Sequence, residues 1–152
     1  MFVYLVRHGM AKSSVEDPKR GLTTGGEKDI AKVAASLKKR GVTVDNVFHS
    51  PKKRASQTAH IIAEVIRSGL SPEVSDGLLP EDDAEQWLDR LEDMDCDTML
   101  VGHLPYMGIL TSLLRCGDGD NAVEEFSPGT VICLERAGEC YELQWKITPG
   151  RL

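Results

Sequence analysis

The sequence lacks a run of about eighteen apolar residues, so it predicts no membrane-spanning helix. It also lacks the basic flank and the small-residue cleavage site of a secretory signal, and we therefore expect a cytoplasmic protein. Positive charge is scarce, because 18 Lys and Arg stand against 24 Asp and Glu, for a net charge of −6. That balance disfavours nucleic acid and anionic membranes as partners, so any basic binding site must be local.

Nucleotide-binding and metal-binding patterns are absent as well. Neither G-x-G-x-x-G nor G-x-x-x-x-G-K-[ST] follows an apolar run. No cluster of Asp and Glu has the character of a metal cage, and we expect neither a metal nor another cofactor. The cysteines show no C-x-x-C pair and no zinc-ligand spacing, which predicts reduced thiols rather than a disulfide framework. They are Cys96, Cys116, Cys133 and Cys140.

Short apolar runs alternate with helical patterns along the chain. Strands are predicted at residues 2–6, 46–48, 73–75 and 98–103. Helices are predicted by the apolar spacing through residues 30–37, 55–66, 87–94 and 104–114. Thr24 and Glu27 stand at capping-box spacing before the first helix, and residues 130–135 and 141–147 indicate a hairpin. This order predicts one domain over residues 1–152, an α/β/α sandwich whose mostly parallel sheet has an antiparallel edge.

Polar residues follow three of the predicted strands at the point where each strand ends. They are RHG at 7–9, SP at 50–51 and GH at 102–103. Ligands of open α/β sheets bind outside the carboxyl ends of the strands, so we expect these residues to meet at one edge. Arg54 lies in the first turn of the helix that follows the second strand, where the positive helix end favours an anion.

The residue types at this edge suit a phosphoryl group. Arg7 and Arg54 offer planar, permanently charged forks for phosphate oxygens. The imidazoles of His8 and His103 can attack phosphorus or donate a hydrogen bond, and the nearby cations favour a neutral His8 by lowering its pKa. Gly9 has no side chain, so we expect its backbone to lie close to the phosphate. Each residue alone has an ordinary structural explanation, but the combination indicates a phosphate site.

Four motifs in order resemble those of the histidine phosphatase superfamily, which has the phosphoglycerate mutase-like fold. They are VRHGMA (6–11), LTTGG (22–26), SPKKRASQTA (50–59) and VGHLP (101–105). The short chain and its LTTGG element resemble the SixA-type phosphohistidine phosphatase branch. The resemblance implies that His8 is the nucleophile and forms a phosphohistidine, and that Arg7, Arg54 and His103 hold the phosphoryl oxygens.

Four other residues are weaker candidates. Arg20, in the loop after the nucleophile, could reach the rim of the site and bind substrate, although a solvated loop explains it equally well. Glu81 in LLPEDD (78–83) is the first candidate for a general acid, although a position near a helix start also explains its charge. His49 precedes Ser-Pro where relatives often carry a small residue, and a half-buried imidazole at a strand end explains it best. His60 is best explained as a surface residue of a helix.

The favoured function is a phosphatase that acts through a phosphohistidine enzyme intermediate on phosphohistidine in a protein, because few insertions remain to cover the site. The alternative is a phosphatase of small phosphate monoesters. A general acid separates the two, since a departing alkoxide needs a proton and a departing imidazole is a better leaving group. A mutase is disfavoured, because it must retain and reorient a phosphorylated intermediate in a more enclosed site. The third alternative, a phosphate-binding module without turnover, is disfavoured by the intact set of histidines and arginines.

Overall fold

The computed structural model describes residues 1–117 and 125–152, which form a six-stranded sheet with four α-helices. In chain order the elements are β1 (Phe2–Arg7), α1 (Thr24–Lys39), β2 (Asn46–His49), α2 (Lys53–Ile66), β3 (Glu73–Val74), α3 (Glu85–Glu92), β4 (Thr98–Gly102), α4 (Tyr106–Leu114), β5 (Val131–Ala137) and β6 (Cys140–Ile147). No helix in the described parts of the chain is long and apolar enough to cross a membrane.

The strand order is β3-β2-β4-β1-β5-β6. Strands β3, β2, β4 and β1 pair in parallel, whereas β5 pairs antiparallel with both β1 and β6. The first strand of the chain therefore lies inside the sheet, between β4 and β5. This arrangement confirms the predicted α/β fold with its antiparallel edge.

Residues 2–6 of strand β1 are all apolar because the sheet is covered on both faces. Tyr4 and Val6 point into the core formed with α1 and α2. Val3 and Leu5 point into a second core, formed with α3 and α4. Side chains alternate across a strand, so an uninterrupted apolar run is what two buried faces require. The three predicted layers follow from this burial.

The first helix is capped by Thr23 rather than by the predicted Thr24–Glu27 box. The hydroxyl of Thr23 accepts a hydrogen bond from the backbone N–H of Gly26 at 2.9 Å. Thr23 is extended, with φ −68° and ψ 163°, whereas Thr24 already belongs to the helix, so only Thr23 can act as the cap. A Cβ on Gly26 would lie 2.2 Å from the carbonyl oxygen of Met10, so glycine lets α1 approach the segment after β1.

Cys116 and Cys140 form a disulfide, so the expectation of four reduced thiols was wrong. Cys116 follows α4 and Cys140 begins β6, and their Cα atoms are 5.5 Å apart. The two cysteines are 24 residues apart in sequence and meet only through the packing of α4 against the hairpin end, which their spacing does not reveal. Cys96 and Cys133 are free.

Candidate active site

The carboxyl ends of β1, β2 and β4 meet at one edge of the sheet. Beyond the end of β1, the backbone N–H of His8 donates to the carbonyl of Gly102 at 3.0 Å. Beyond the end of β2, the N–H of Ser50 donates to the carbonyl of Val101 at 3.1 Å. These bonds attach both loops to β4, which lies between them. The structure therefore brings together the three polar segments that the sequence places at strand ends.

His8 and His103 lie side by side, with ring centroids 5.1 Å apart. Both are buried. The Nδ1 atom of His8 is 2.7 Å from the carbonyl oxygen of Gly9. A carbonyl oxygen can only accept a hydrogen bond, so Nδ1 carries the proton and Nε2 keeps its lone pair. The neutral His8 ring thus has one defined nucleophilic atom.

His8 is held in its neutral form. Its pKa is lowered to about 4, first by burial and then by the charges of Arg54, Arg7 and Arg20, while the hydrogen bond with Gly9 acts in the opposite direction. The sequence pointed to the cations as the cause, but the structure assigns the larger effect to burial. Near neutral pH the Nε2 lone pair is therefore available.

His103 is oriented by Ser50, a residue that the sequence places at this edge but to which it assigns no role. The Ser50 Oγ lies 2.6 Å from Nε2 of His103 and accepts a hydrogen bond from the Lys52 backbone N–H at 3.3 Å. A Ser50 hydroxyl that donates its proton to Nε2 leaves the ring proton of neutral His103 on Nδ1, an atom with no protein partner. Burial, followed by the charge of His8, lowers the pKa of His103 to about 3.

Three buried hydrogen-bond donors of this site have no protein partner. They are Nε of Arg7, Nε of Arg54 and Nδ1 of His103, three of the five such side-chain atoms in the described parts of the chain. Burial lowers the pKa of both guanidinium groups, although each stays positively charged at neutral pH. Buried donors in folded proteins are nearly always paired, so this cluster suits a ligand rich in acceptor oxygens.

Thr58 connects the two halves of the site, and it was also not selected from the sequence. Its Oγ1 accepts a hydrogen bond from the Gly9 backbone N–H at 3.0 Å and donates to the Arg54 carbonyl at 2.8 Å. It lies four residues after Arg54, on the same face of α2. The signal was present within SPKKRASQTA, because a threonine one turn after the arginine faces the same neighbours.

The structure gives a different reason for glycine at position 9. A Cβ there would lie 2.7 Å from Cγ1 of Ile30, a core residue of α1. The missing side chain therefore allows close packing of the loop against α1. The sequence argument did not consider this packing, and the closeness of the Gly9 backbone to a bound phosphate stays a prediction.

Arg20 belongs to a loop that is fixed to α2. The Asp17 carboxylate accepts hydrogen bonds from the backbone N–H groups of Gly21 at 2.9 Å and Lys19 at 3.1 Å, and it pairs with Lys53 at 3.4 Å. These contacts, the Gly21 bond first, lower the pKa of Asp17 to about 2. Nε of Arg20 donates to the carbonyl of Lys12 at 3.0 Å. Arg20 lines the same cleft as Arg54, and its charge helps to lower the pKa values of His8 and Arg54.

The weaker candidates lie at the margin. Glu81 is exposed in the turn before α3, and no hydrogen bond or ion pair joins it to another described residue. Its neighbour Asp82, together with Pro51, lines a small cavity of about 260 Å³. His49 is fully buried rather than half-buried, with its Nδ1 2.8 Å from the Ser50 carbonyl. His60 is exposed on α2, as expected.

Comparison with known proteins adds independent information. A family model described as the histidine phosphatase superfamily (branch 1) matches residues 3–97. An uncharacterized protein of Picosynechococcus sp. is 38% identical over 115 residues, covering 71% of this chain and 69% of the relative. The structure of the protein histidine phosphatase SixA complexed with tungstate has a TM-score of 0.86 at 26% identity, covering 99% of this chain and 98% of that one. The alpha-ribazole phosphatase from Shigella flexneri shares the fold, with a TM-score of 0.79 at 15% identity and 95% of each chain covered.

Proposed function

Because the chain belongs to the histidine phosphatase superfamily (branch 1), we propose that it hydrolyses phosphohistidine in a protein substrate through a phosphorylated His8. Membership of this family and the likeness to SixA support phosphatase activity. The observation that carries the proposal is the group of three unpartnered buried donors around a neutral His8. A neutral nucleophile surrounded by fixed donors is suited to attack on a phosphoryl group.

In the first step of the proposed reaction, Nε2 of His8 attacks phosphorus in line with the departing imidazole. The new P–N bond forms as the bond to the substrate nitrogen breaks, and the substrate ring, which carries a proton on its other nitrogen, leaves as neutral imidazole. The ring of His8 becomes positively charged, with phosphorus on Nε2 and the proton on Nδ1. The Gly9 carbonyl stabilises this form because it accepts the Nδ1–H hydrogen bond.

In the second step, water attacks the phosphorylated His8. The P–N bond breaks, its electron pair returns to Nε2, and inorganic phosphate leaves with the oxygen and protons of the water. Arg7, Arg54 and Nδ1–H of His103 hold the equatorial oxygens in both steps, and Arg20 adds positive charge at the rim. Their fixed positions stabilise the transition-state charge without reorganisation of solvent.

Activity is expected to be unchanged by EDTA, because the guanidinium groups supply the positive charge that Mg²⁺ supplies in other phosphoryl-transfer sites. No group of three His, Cys, Asp or Glu within residues 1–117 and 125–152 could hold a metal ion. The measurement is the rate of aryl phosphate hydrolysis before and after dialysis against EDTA. A loss of activity that added Mg²⁺ restores would contradict this prediction.

A second candidate function is hydrolysis of small phosphate monoesters, which the carboxylates at residues 81–83 favour. Asp82 lines a cavity next to Pro51, the residue that follows Ser50, and could protonate a leaving group if substrate extended there. The alpha-ribazole phosphatase with the same fold is the kind of enzyme this alternative describes.

Activity on phosphohistidine is expected to exceed activity on alkyl phosphates by about 10²–10⁴-fold, which is the usual contribution of a positioned general acid. The measurement is kcat/KM for a phosphohistidine peptide, an aryl phosphate and an alkyl phosphate. Glu81→Gln and Asp82→Asn should leave the phosphohistidine reaction nearly unchanged. If the alkyl ester is the best substrate and either variant loses activity on it selectively, the monoester function replaces the proposed one.

Two broader expectations belong to the same proposal. Residues 1–152 form one catalytic domain, and the protein acts in the cytoplasm. The Cys116–Cys140 disulfide argues against the cytoplasmic location, because disulfides are uncommon in reducing compartments. The proposed chemistry uses neither cysteine, so it does not depend on the state of this disulfide.

A further inference from the structure

A cleft beside the candidate active site concentrates positive charge in an acidic protein. Its volume is about 750 Å³, and it lies between the loop that carries Arg20 and the start of α2. No carboxylate is among its lining residues, although the chain has a net charge of −6. We call it the basic cleft, and its cationic lining residues are Lys19, Arg20, Lys52, Lys53 and Arg54.

Two cations of the basic cleft are available to a partner. Lys53 is already paired with Asp17. Lys19 and Lys52 are exposed, and their ammonium groups make no hydrogen bond or ion pair within the described parts of the chain. Arg54, whose buried Nε is one of the unpartnered donors of the candidate active site, also lines the basic cleft, so the cleft and the phosphoryl site share this residue.

We propose that the basic cleft docks an acidic protein surface next to the phosphorylated side chain, and that Lys19 and Lys52 determine this preference. The inference rests on the proposed function and narrows its substrate class. The cleft is far larger than a phosphoryl group, and its free cations stand on long side chains at the surface. Sites for small ligands are mostly apolar and use a few fixed polar groups, whereas exposed rim charges select and steer protein partners.

The test uses two phosphohistidine peptides of equal length, one flanked by Glu and one by Gln. Each is measured as an inhibitor of aryl phosphate hydrolysis and as a substrate. The Glu peptide should bind about tenfold more tightly at low ionic strength, and added NaCl should reduce the difference, since exposed charge pairs are screened. The readout is the ratio of the two inhibition constants. A change in binding of the phosphoryl group alone alters both constants equally and leaves the ratio unchanged.

Lys19→Glu/Lys52→Glu is expected to abolish this preference and to favour a peptide flanked by Lys. The matched control is Lys38→Glu/Lys39→Glu, which makes the same charge change in the last turn of α1 and should keep the wild-type ratio. A ratio near one in the wild type, or a ratio unchanged in the cleft variant, would overturn the proposal.

Two further outcomes separate the docking proposal from its premise. If neither peptide is hydrolysed but inhibition still follows peptide charge through Lys19 and Lys52, the phosphohistidine function fails and docking of an acidic surface stands. If a small bisphosphate depends on Lys19 and Lys52 as strongly as the Glu peptide does, the cleft binds a second anion of a small substrate. That result would overturn the proposal that the basic cleft docks a protein partner.

Discussion

His8→Ala is expected to abolish turnover, lowering kcat by about 10⁴-fold or more, because removal of a nucleophile removes the covalent route itself. The Nε2 atom of His8 keeps its lone pair, because Nδ1 carries the ring proton. The measurement is kcat with an aryl phosphate and with a phosphohistidine peptide. His60→Ala, which removes an exposed histidine from α2, is the control and should keep wild-type activity.

The proposed role of His8 as the nucleophile can be tested by two measurements besides the rate. Rapid acid-free quenching with labelled substrate should trap a phosphoenzyme in the wild type and none in His8→Ala. The ring signals of His8 in an NMR titration, assigned by their loss in the variant, should move near pH 4. Because the pKa is lowered, the nucleophilic form is present above this pH and is lost as the pH falls through it. Near-normal turnover in His8→Ala would show that another residue attacks phosphorus.

Arg54→Ala is expected to lower kcat/KM by about 10²–10³-fold, the usual cost of removing one preorganised donor of a transition-state oxyanion. The unpartnered Nε of Arg54 is the structural reason, since its buried donor has no other use. Arg54→Lys keeps the charge but loses the fork, so it should recover only part of the activity. Measurement of kcat and KM separately tests whether the loss falls on the transition state.

Arg54 gives a cleaner test than Arg7. Nη1 of Arg7 donates to the Phe126 carbonyl at 3.0 Å, so Arg7→Ala also removes a contact to the residues before β5. We expect a loss of similar size for Arg7→Ala, together with lower thermal stability. Arg151→Ala, at an exposed position near the chain end, is the control. If Arg54→Ala lowers kcat/KM by less than about threefold, Arg54 does not hold the phosphoryl group.

The sequence predicts the site well where the type of a residue and its position in a strand or helix both indicate phosphate binding. The RHG segment follows an apolar run that only a doubly covered strand explains, and Arg54 lies in the first turn of a helix with a clear apolar stripe. Because parallel strands end at one edge, these residues could be brought together without knowledge of the strand order.

The remaining features depend on three-dimensional neighbours. Ser50 and Thr58 matter because of the atoms next to them, the imidazole of His103 and the backbone of Gly9. Gly9 is explained by its contact distance to Ile30, which no pattern of residue types contains. A cap can shift by one residue between two adjacent threonines, since both can accept the same bond and only the backbone conformation decides.

The position of β4 between β1 and β2 has a consequence for the assembly of the enzyme during synthesis. Arg7, His8 and Arg54 all emerge from the ribosome before β4 does, yet β1 and β2 have no pairing with each other in the sheet. Both earlier strands must wait for β4 to arrive between them, because domains form contacts in the order that synthesis allows. A chain that ends before β4 therefore carries Arg7, His8 and Arg54 without the strand that brings them together, and the candidate site can form only after β4 has emerged.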